Sequence, residues 1–174
     1  MKVLVTAASR HGSTAEIAAA IGEELRGRGF EVAVLAPEYV GNVREYDAVV
    51  LGSAVYMGHW LGPAMEFVSR SSDALKSRPV WLFSSGPVGD PSRKLVQKMG
   101  ADPVDLPALR TETAARDHRM FPGKLDRKNL GLAQRLATAL FRMHGDFRDW
   151  PEVKRWASGV AADLQSATSP MRTA

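Results

Sequence analysis

The residues with chemistry to offer gather first in the stretch S-R-H-G-S-T, where Ser9, Ser13 and Thr14 bring three hydroxyls, Arg10 a guanidinium, His11 an imidazole and Gly12 a bare backbone. Upstream, Val3, Leu4 and Val5 form a short apolar run; downstream, Ile17, Ile21 and Leu25 recur every fourth residue, the spacing of one helix face. The stretch therefore joins a buried strand to a helix. Ser13 followed three residues later by Glu16 reads as a capping box, which starts the helix at Ser13 and puts Thr14 in its first turn. Free N–H groups and aligned peptide dipoles place about half a positive charge at such a helix start, worth roughly 0.3–2 kcal/mol to a nearby anion. Gly12 lets backbone approach that anion closely. The alternative is a plain turn, in which Ser13 and Thr14 only cap the helix.

Two further stretches follow apolar runs in the same way. Asp47 to Leu51 leads into Gly52 to Leu61, G-S-A-V-Y-M-G-H-W-L, and Pro79 to Phe83 leads into Ser84 to Asp90, S-S-G-P-V-G-D. An anion cradle beside two walls of small and aromatic residues suits a flat ring system with a phosphate tail. Tyr56 and Trp60 are each open to two readings, ring contact or core aromatic, with Tyr56 the better candidate for the ring.

Other chemistries drop out. The chain has no cysteine, so any redox chemistry must come from a bound cofactor. His59, His118 and His144 lack ligand spacing, and no metal is expected. Neither a G-x-S-x-G elbow nor a G-x-x-x-x-G-K-S/T loop is present. The net charge of +4 is scattered rather than gathered on an aromatic-interleaved platform, so nucleic acid is not an expected partner. The start of the sequence lacks the pattern of a signal peptide and no apolar run reaches the span of a bilayer, which points to the cytoplasm.

These loops must be positioned by strands and helices. The pattern predicts strands at Val3–Thr6, Phe30–Leu35, Asp47–Leu51, Pro79–Phe83 and His118–Phe121. Helices are predicted from Ser13 to about Arg28 and from Gly62 onward, the second with Met65, Val68 and Leu75 inward. A short helix is expected over Lys94–Lys98 and irregular chain around Asp102 to Pro107. An insertion at about 124–148 carries a helix with Leu132, Leu136, Leu140 and Met143 on one side and Arg135 and Arg142 on another. The last helix opens at Asp149, with Glu152 completing a second capping box and Trp150, Val153, Ala157, Val160 and Leu164 inward. The order implies one α/β domain over residues 1–165, a three-layer doubly wound parallel sheet of five strands, with a disordered tail over 166–174. Ligands of such sheets bind beyond the carboxyl ends of the strands, where the first, third and fourth strand-end loops meet.

On these residues the chain resembles the flavodoxin-type FMN proteins. Ser9, Gly12, Thr14, Ala18 and Ile21 match that family's phosphate-loop signature, which fails at Ala7, where an aromatic is usual. The resemblance implies a strand order 2-1-3-4-5 and an FMN whose phosphate is surrounded by Ser9, Arg10, His11, Gly12, Ser13 and Thr14. It implies that Ser53, Ala54, Val55, Tyr56, Met57 and Gly58 lie along one side of the isoalloxazine ring, and Ser84, Ser85, Gly86, Pro87, Val88, Gly89 and Asp90 along the other. Catalysis would run through the flavin, with no acid–base pair from the protein. Within the family the chain is similar to the menaquinone-dependent protoporphyrinogen dehydrogenases, in its S-R-H-G-S-T loop, its G-S-A-V-Y-M-G-H-W stretch and the segment from Arg119 to Trp156. That likeness implies a small-molecule redox substrate, a porphyrinogen or a quinone. A soluble electron carrier and a non-enzymatic phosphate-ligand domain are the alternatives. The inserted helix, residues 130–143, would then either touch the inner face of a membrane or pack on the domain.

Overall fold

The computed structural model describes residues 1–86, 102–125 and 145–168. The predicted short helix at Lys94–Lys98, the apolar stripe from Leu132 to Met143, Pro87 to Asp90 and the tail beyond 168 lie outside the described residues.

A central strand covered on both faces has to be apolar throughout, and Lys2–Ala8 (β1) is buried from Val3 onward. The parallel sheet forms around it: Glu31–Leu35 (β2) on one side, and Ala48–Tyr56 (β3), Val80–Ser85 (β5) and Asp117–Phe121 (β6) in succession on the other. His59–Trp60 (β4) folds back antiparallel on the end of β3. The five long strands thus follow the order 2-1-3-4-5 when counted along the chain, and β4 is an addition to it.

Successive side chains of a strand point to opposite faces, and both faces are used. Val3, Val5, Val50, Trp81 and Phe83 pack under Ser13–Gly27 (α1) and Trp150–Thr168 (α4), meeting Ile17, Ile21, Leu25, Trp156 and Val160. Leu4, Val49, Leu51, Val80 and Leu82 pack under Gly62–Lys76 (α2) and Leu106–Thr113 (α3), meeting Phe67, Val68, Leu75 and Leu109. Gly52 is forced by this packing: a Cβ there would sit 2.2 Å from the ring of Phe83, its partner across β3 and β5.

Several expectations are corrected. The third strand runs five residues past Leu51 to Tyr56, because Gly52, Ser53 and Ala54 pair in register with Phe83, Ser84 and Ser85. The fourth strand likewise reaches Ser85, so both supposed loops begin as strand. The irregular chain expected around Asp102 to Pro107 is found through Asp105, but at Leu106 a helix begins that was not expected, Leu106–Thr113; Pro107 stands in its first turn, where a missing N–H costs nothing. Met65 is only half-buried. The last helix runs to Thr168, past the expected boundary at 165, with the Ser166 hydroxyl bonded back to the Asp163 carbonyl at 2.9 Å.

Both capping boxes fail in part. Gly12, at φ 85°, is the residue before α1, and the Ser13 hydroxyl makes no cap bond. It accepts instead from the backbone N–H of Lys124 at 3.0 Å. At α4, Asp149 Oδ1 does accept from the Glu152 N–H at 2.9 Å, but the Glu152 carboxylate pairs with Arg119 at 3.7 Å. The predicted insertion enters and leaves through one two-stranded ribbon, Lys124–Leu125 (β7) against Gly145–Asp146 (β8), which brings its ends together.

Candidate functional site

Register brings the three candidate segments to one edge. Ala8 at the end of β1 pairs with Ser53, Ser53 with Ser84 and Ser85 with Phe121, so the turn after β1, the end of β3 and the end of β5 lie side by side at the carboxyl edge of the sheet. In the first of these, Ser9 follows β1 directly. Its Oγ is buried and has no hydrogen-bond partner among the described residues, an arrangement that costs about 1–3 kcal/mol unless something else arrives to bond it. Gly12 takes a left-handed φ that few other residues adopt, and the first N–H groups of α1 follow it. Thr14 is buried in that first turn. Arg10 stands 5.3 Å from the ring centre of Tyr56 and the His11 ring 6.4 Å from it, so the turn and the β3 tip touch. An orphaned hydroxyl, a guanidinium and the first N–H groups of a helix within one short turn suit an anion of several oxygens.

The tip of β3 and β4 forms a rim beside this turn. Met57 is 99% exposed and holds a φ of 52°, which costs a residue with a Cβ roughly 1 kcal/mol or more. Tyr56 beside it is 36% exposed, and burial of the remainder pushes its phenol above the ordinary value, against the pull of Arg10. The rim is held from behind. Asp105 accepts from the Trp60 N–H at 2.8 Å and lies 2.9 Å from His59 Nδ1, while the Val104 N–H donates to the Gly58 carbonyl at 2.9 Å.

Beneath the rim the hydroxyls are already engaged. Ser53 Oγ donates to the Ala54 carbonyl and accepts from the Leu61 N–H, each at 2.9 Å. Ser84 Oγ, fully buried, accepts from Trp60 Nε1 at 2.8 Å and meets His118 Nε2 at 2.9 Å. Asp102 Oδ1 faces His118 Nδ1 at 3.4 Å. Indole is a donor only and a carboxylate an acceptor only, so the chain Trp60 to Ser84 to His118 to Asp102 is satisfied when His118 carries its proton on Nδ1 and Ser84 donates to Nε2. Burial holds the His118 pKa below its ordinary 6.5, which keeps the ring neutral; Asp102 opposes the shift. Trp60 is a core aromatic, as one of its two readings had it.

A model of the flavodoxin domain family matches residues 4–149. This chain belongs to the flavodoxin domain family. The fold agrees: an archaeal flavodoxin superposes with a TM-score of 0.64 at 18% identity, covering 95% of this chain and 99% of that one. The flavodoxin of Streptococcus pneumoniae TIGR4 gives 0.61 at 20% identity, with 94% and 99% covered. Among curated proteins, the quinone-linked protoporphyrinogen IX dehydrogenase of Escherichia coli K12 is 31% identical over 86 residues, 48% of each chain. The chain thus spans about half the length of the curated relatives it matches.

Membership of the flavodoxin domain family makes FMN the cofactor, and the residues present fit it: the unpartnered Ser9 hydroxyl and the start of α1 offer a phosphate the donors it needs. Of the positions named from sequence, Ser9 to Thr14, Ser53 to Gly58 and Ser84 to Gly86 come together at one edge of the sheet. Pro87, Val88, Gly89 and Asp90 lie outside the described residues. Sequence reasoning missed four residues that surround the turn: Glu16 as an ion-pair partner rather than a cap, Lys124, Asp146 and Arg148. It also weighed His118 only as a metal ligand. Its signal, a histidine in the strand next to a serine-ended strand, is visible only once the strand order is fixed.

Proposed function

We propose that this flavodoxin domain is an FMN-dependent oxidoreductase of the protoporphyrinogen dehydrogenase type, taking electrons from a reduced, largely apolar substrate and delivering them to a quinone. FMN supplies hydride and single-electron chemistry when bound. The phosphate is assigned to the turn from Ser9 to Thr14, where Ser9 O–H and the first N–H groups of α1 donate to it. The ring is assigned to the carboxyl edge of the sheet, beside the Tyr56–Gly58 tip and beyond the paired ends Ala54 and Ser85. The backbone there is held by the Ser53 and Ser84 bonds, so the protein's part is to hold a ring still, exclude water and leave one edge open.

The observation that carries this reading is that open edge. Tyr56, Met57 and Val104 present an exposed apolar rim with the Arg10 guanidinium beside it, a surface matched to a hydrophobic macrocycle or quinone bearing anionic groups. The similarity to the Escherichia coli dehydrogenase supports it. A second reading, a flavodoxin-type electron carrier, draws on the near-complete coverage of solved flavodoxins. The +4 net charge weighs against it where the partner surface is basic. The two readings separate in one experiment. Under anaerobic conditions the FMN-loaded protein is offered a porphyrinogen or NAD(P)H, then a menaquinone analogue, and flavin absorbance is followed. Bleaching by the porphyrinogen and recovery with the quinone is the expected result. Reduction only by a protein reductase, with no response to either small molecule, would establish the carrier.

A further inference from the structure

Arg148 lies between β8 and α4, far along the chain from the anion-binding turn, yet its side chain is 3% exposed and reaches it. Nε and Nη2 donate to Asp146 Oδ1 and Oδ2 at 2.8 and 2.6 Å, and Nη1 donates to Glu16 Oε2 at 2.7 Å. The Trp150 ring covers the guanidinium at 4.4 Å. Glu16 belongs to the first turn of α1. Its other oxygen, Oε1, is 3.8 Å from Lys124 Nζ and would be 3.9 Å from a Cβ on Gly12, so this carboxylate stands at the turn itself.

A helix start that already carries a carboxylate is poorly disposed to a second anion, because like charges at short range repel and the dipole is partly used. Here each Glu16 oxygen faces a cation. We propose that Arg148 is a positioning residue for phosphate binding: by holding and neutralising Glu16 it leaves the start of α1 available to a doubly charged phosphate ester. The inference rests on the assignment of the turn to the FMN phosphate. Its signature is a sign pattern. Removing Glu16 leaves an extra positive charge at the turn, removing Arg148 an extra negative one, and removing both restores the starting balance. Only ligands with a phosphate respond.

The test uses apo-protein titrated with FMN and with riboflavin, which lacks the phosphate, by quenching of flavin fluorescence; circular dichroism verifies the fold of each variant. Arg148→Met is expected to weaken FMN about tenfold and Glu16→Gln to tighten it several-fold, each leaving riboflavin within about twofold, while the double variant returns to within about threefold of the parent. Glu16→Gln keeps the test decisive even where Arg148→Met fails to fold. FMN affinity that is unchanged in Arg148→Met, or unchanged or lowered in Glu16→Gln, or not restored in the double variant, overturns the role of Arg148. A parent protein that binds FMN no better than riboflavin overturns the phosphate assignment as well, and so the two failures are distinguishable.

Discussion

Two serine-bearing segments lie side by side at the carboxyl edge of the sheet. In the turn after β1, the Ser9 hydroxyl is buried with no partner among the described residues, and the N–H groups of the first turn of α1 follow it. In the neighbouring wall, Ser53 and Ser84 are buried too, but each hydroxyl makes two bonds to the protein: Ser53 to Ala54 and Leu61, Ser84 to Trp60 and His118. The same residue type does opposite jobs in the two places. An unsatisfied group stores a cost that a ligand relieves on binding; a satisfied one fixes the shape of the surface the ligand meets. The turn leaves a buried hydroxyl free, and the wall ties its hydroxyls down.

The largest effect should come from breaking the wall. Ser84→Ala leaves Trp60 Nε1 and His118 Nε2 without their partner in the core. A loss of about 1–3 kcal/mol in urea unfolding of the apo-protein is expected, with FMN affinity changed less than about threefold. Ser9→Ala should do the reverse. Removing an orphaned hydroxyl leaves the apo-protein as stable or slightly more so, whereas FMN is held about tenfold less tightly, or about 1.4 kcal/mol. Equal stability losses in the two variants would erase the contrast between turn and wall.

That contrast could not be read from the sequence, although the fold could. Alternation and period placed all five long strands and the first, second and last helices, because Val3 to Val5, Ile17 to Leu25 and Val153 to Leu164 carry the burial pattern in their own spacing. What escaped depends on pairing. Ser53 and Ser84 look like loop residues beside Gly52 and Gly86, and only their register across β3 and β5 makes them strand and core. The Ser13 and Glu16 pair has the spacing of a capping box, yet Lys124 and Arg148, more than a hundred residues on, claim both side chains. Local spacing proposes partners; distant chain with a stronger charge or a better-placed N–H takes them. The helix Leu106–Thr113 was hidden by Pro107, a breaker in most positions and harmless in the first turn.

The smallest predicted effect sharpens the wall through pH. His118 is buried, with Ser84 at Nε2, Asp102 at Nδ1, and Arg110 and Asp117 as the other charges acting on it. Burial outweighs Asp102, so the folded pKa lies below the ordinary 6.5. As pH falls from 8, the unfolded chain takes up the proton near 6.5 and the folded chain does not; the unfolded state then binds more protons, and stability drops with falling pH until the folded pKa is passed. One such group contributes a slope of at most about 1.4 kcal/mol per pH unit. His118→Gln keeps a polar side chain and removes the titration. The difference in unfolding free energy between parent and variant, measured from pH 8 to pH 5, isolates this residue from the other histidines and should shrink steadily below about pH 6.5. Parallel curves would mean that the ring charges as readily inside the protein as outside, and the neutral Nδ1–H form that lets Ser84 donate would have to be given up.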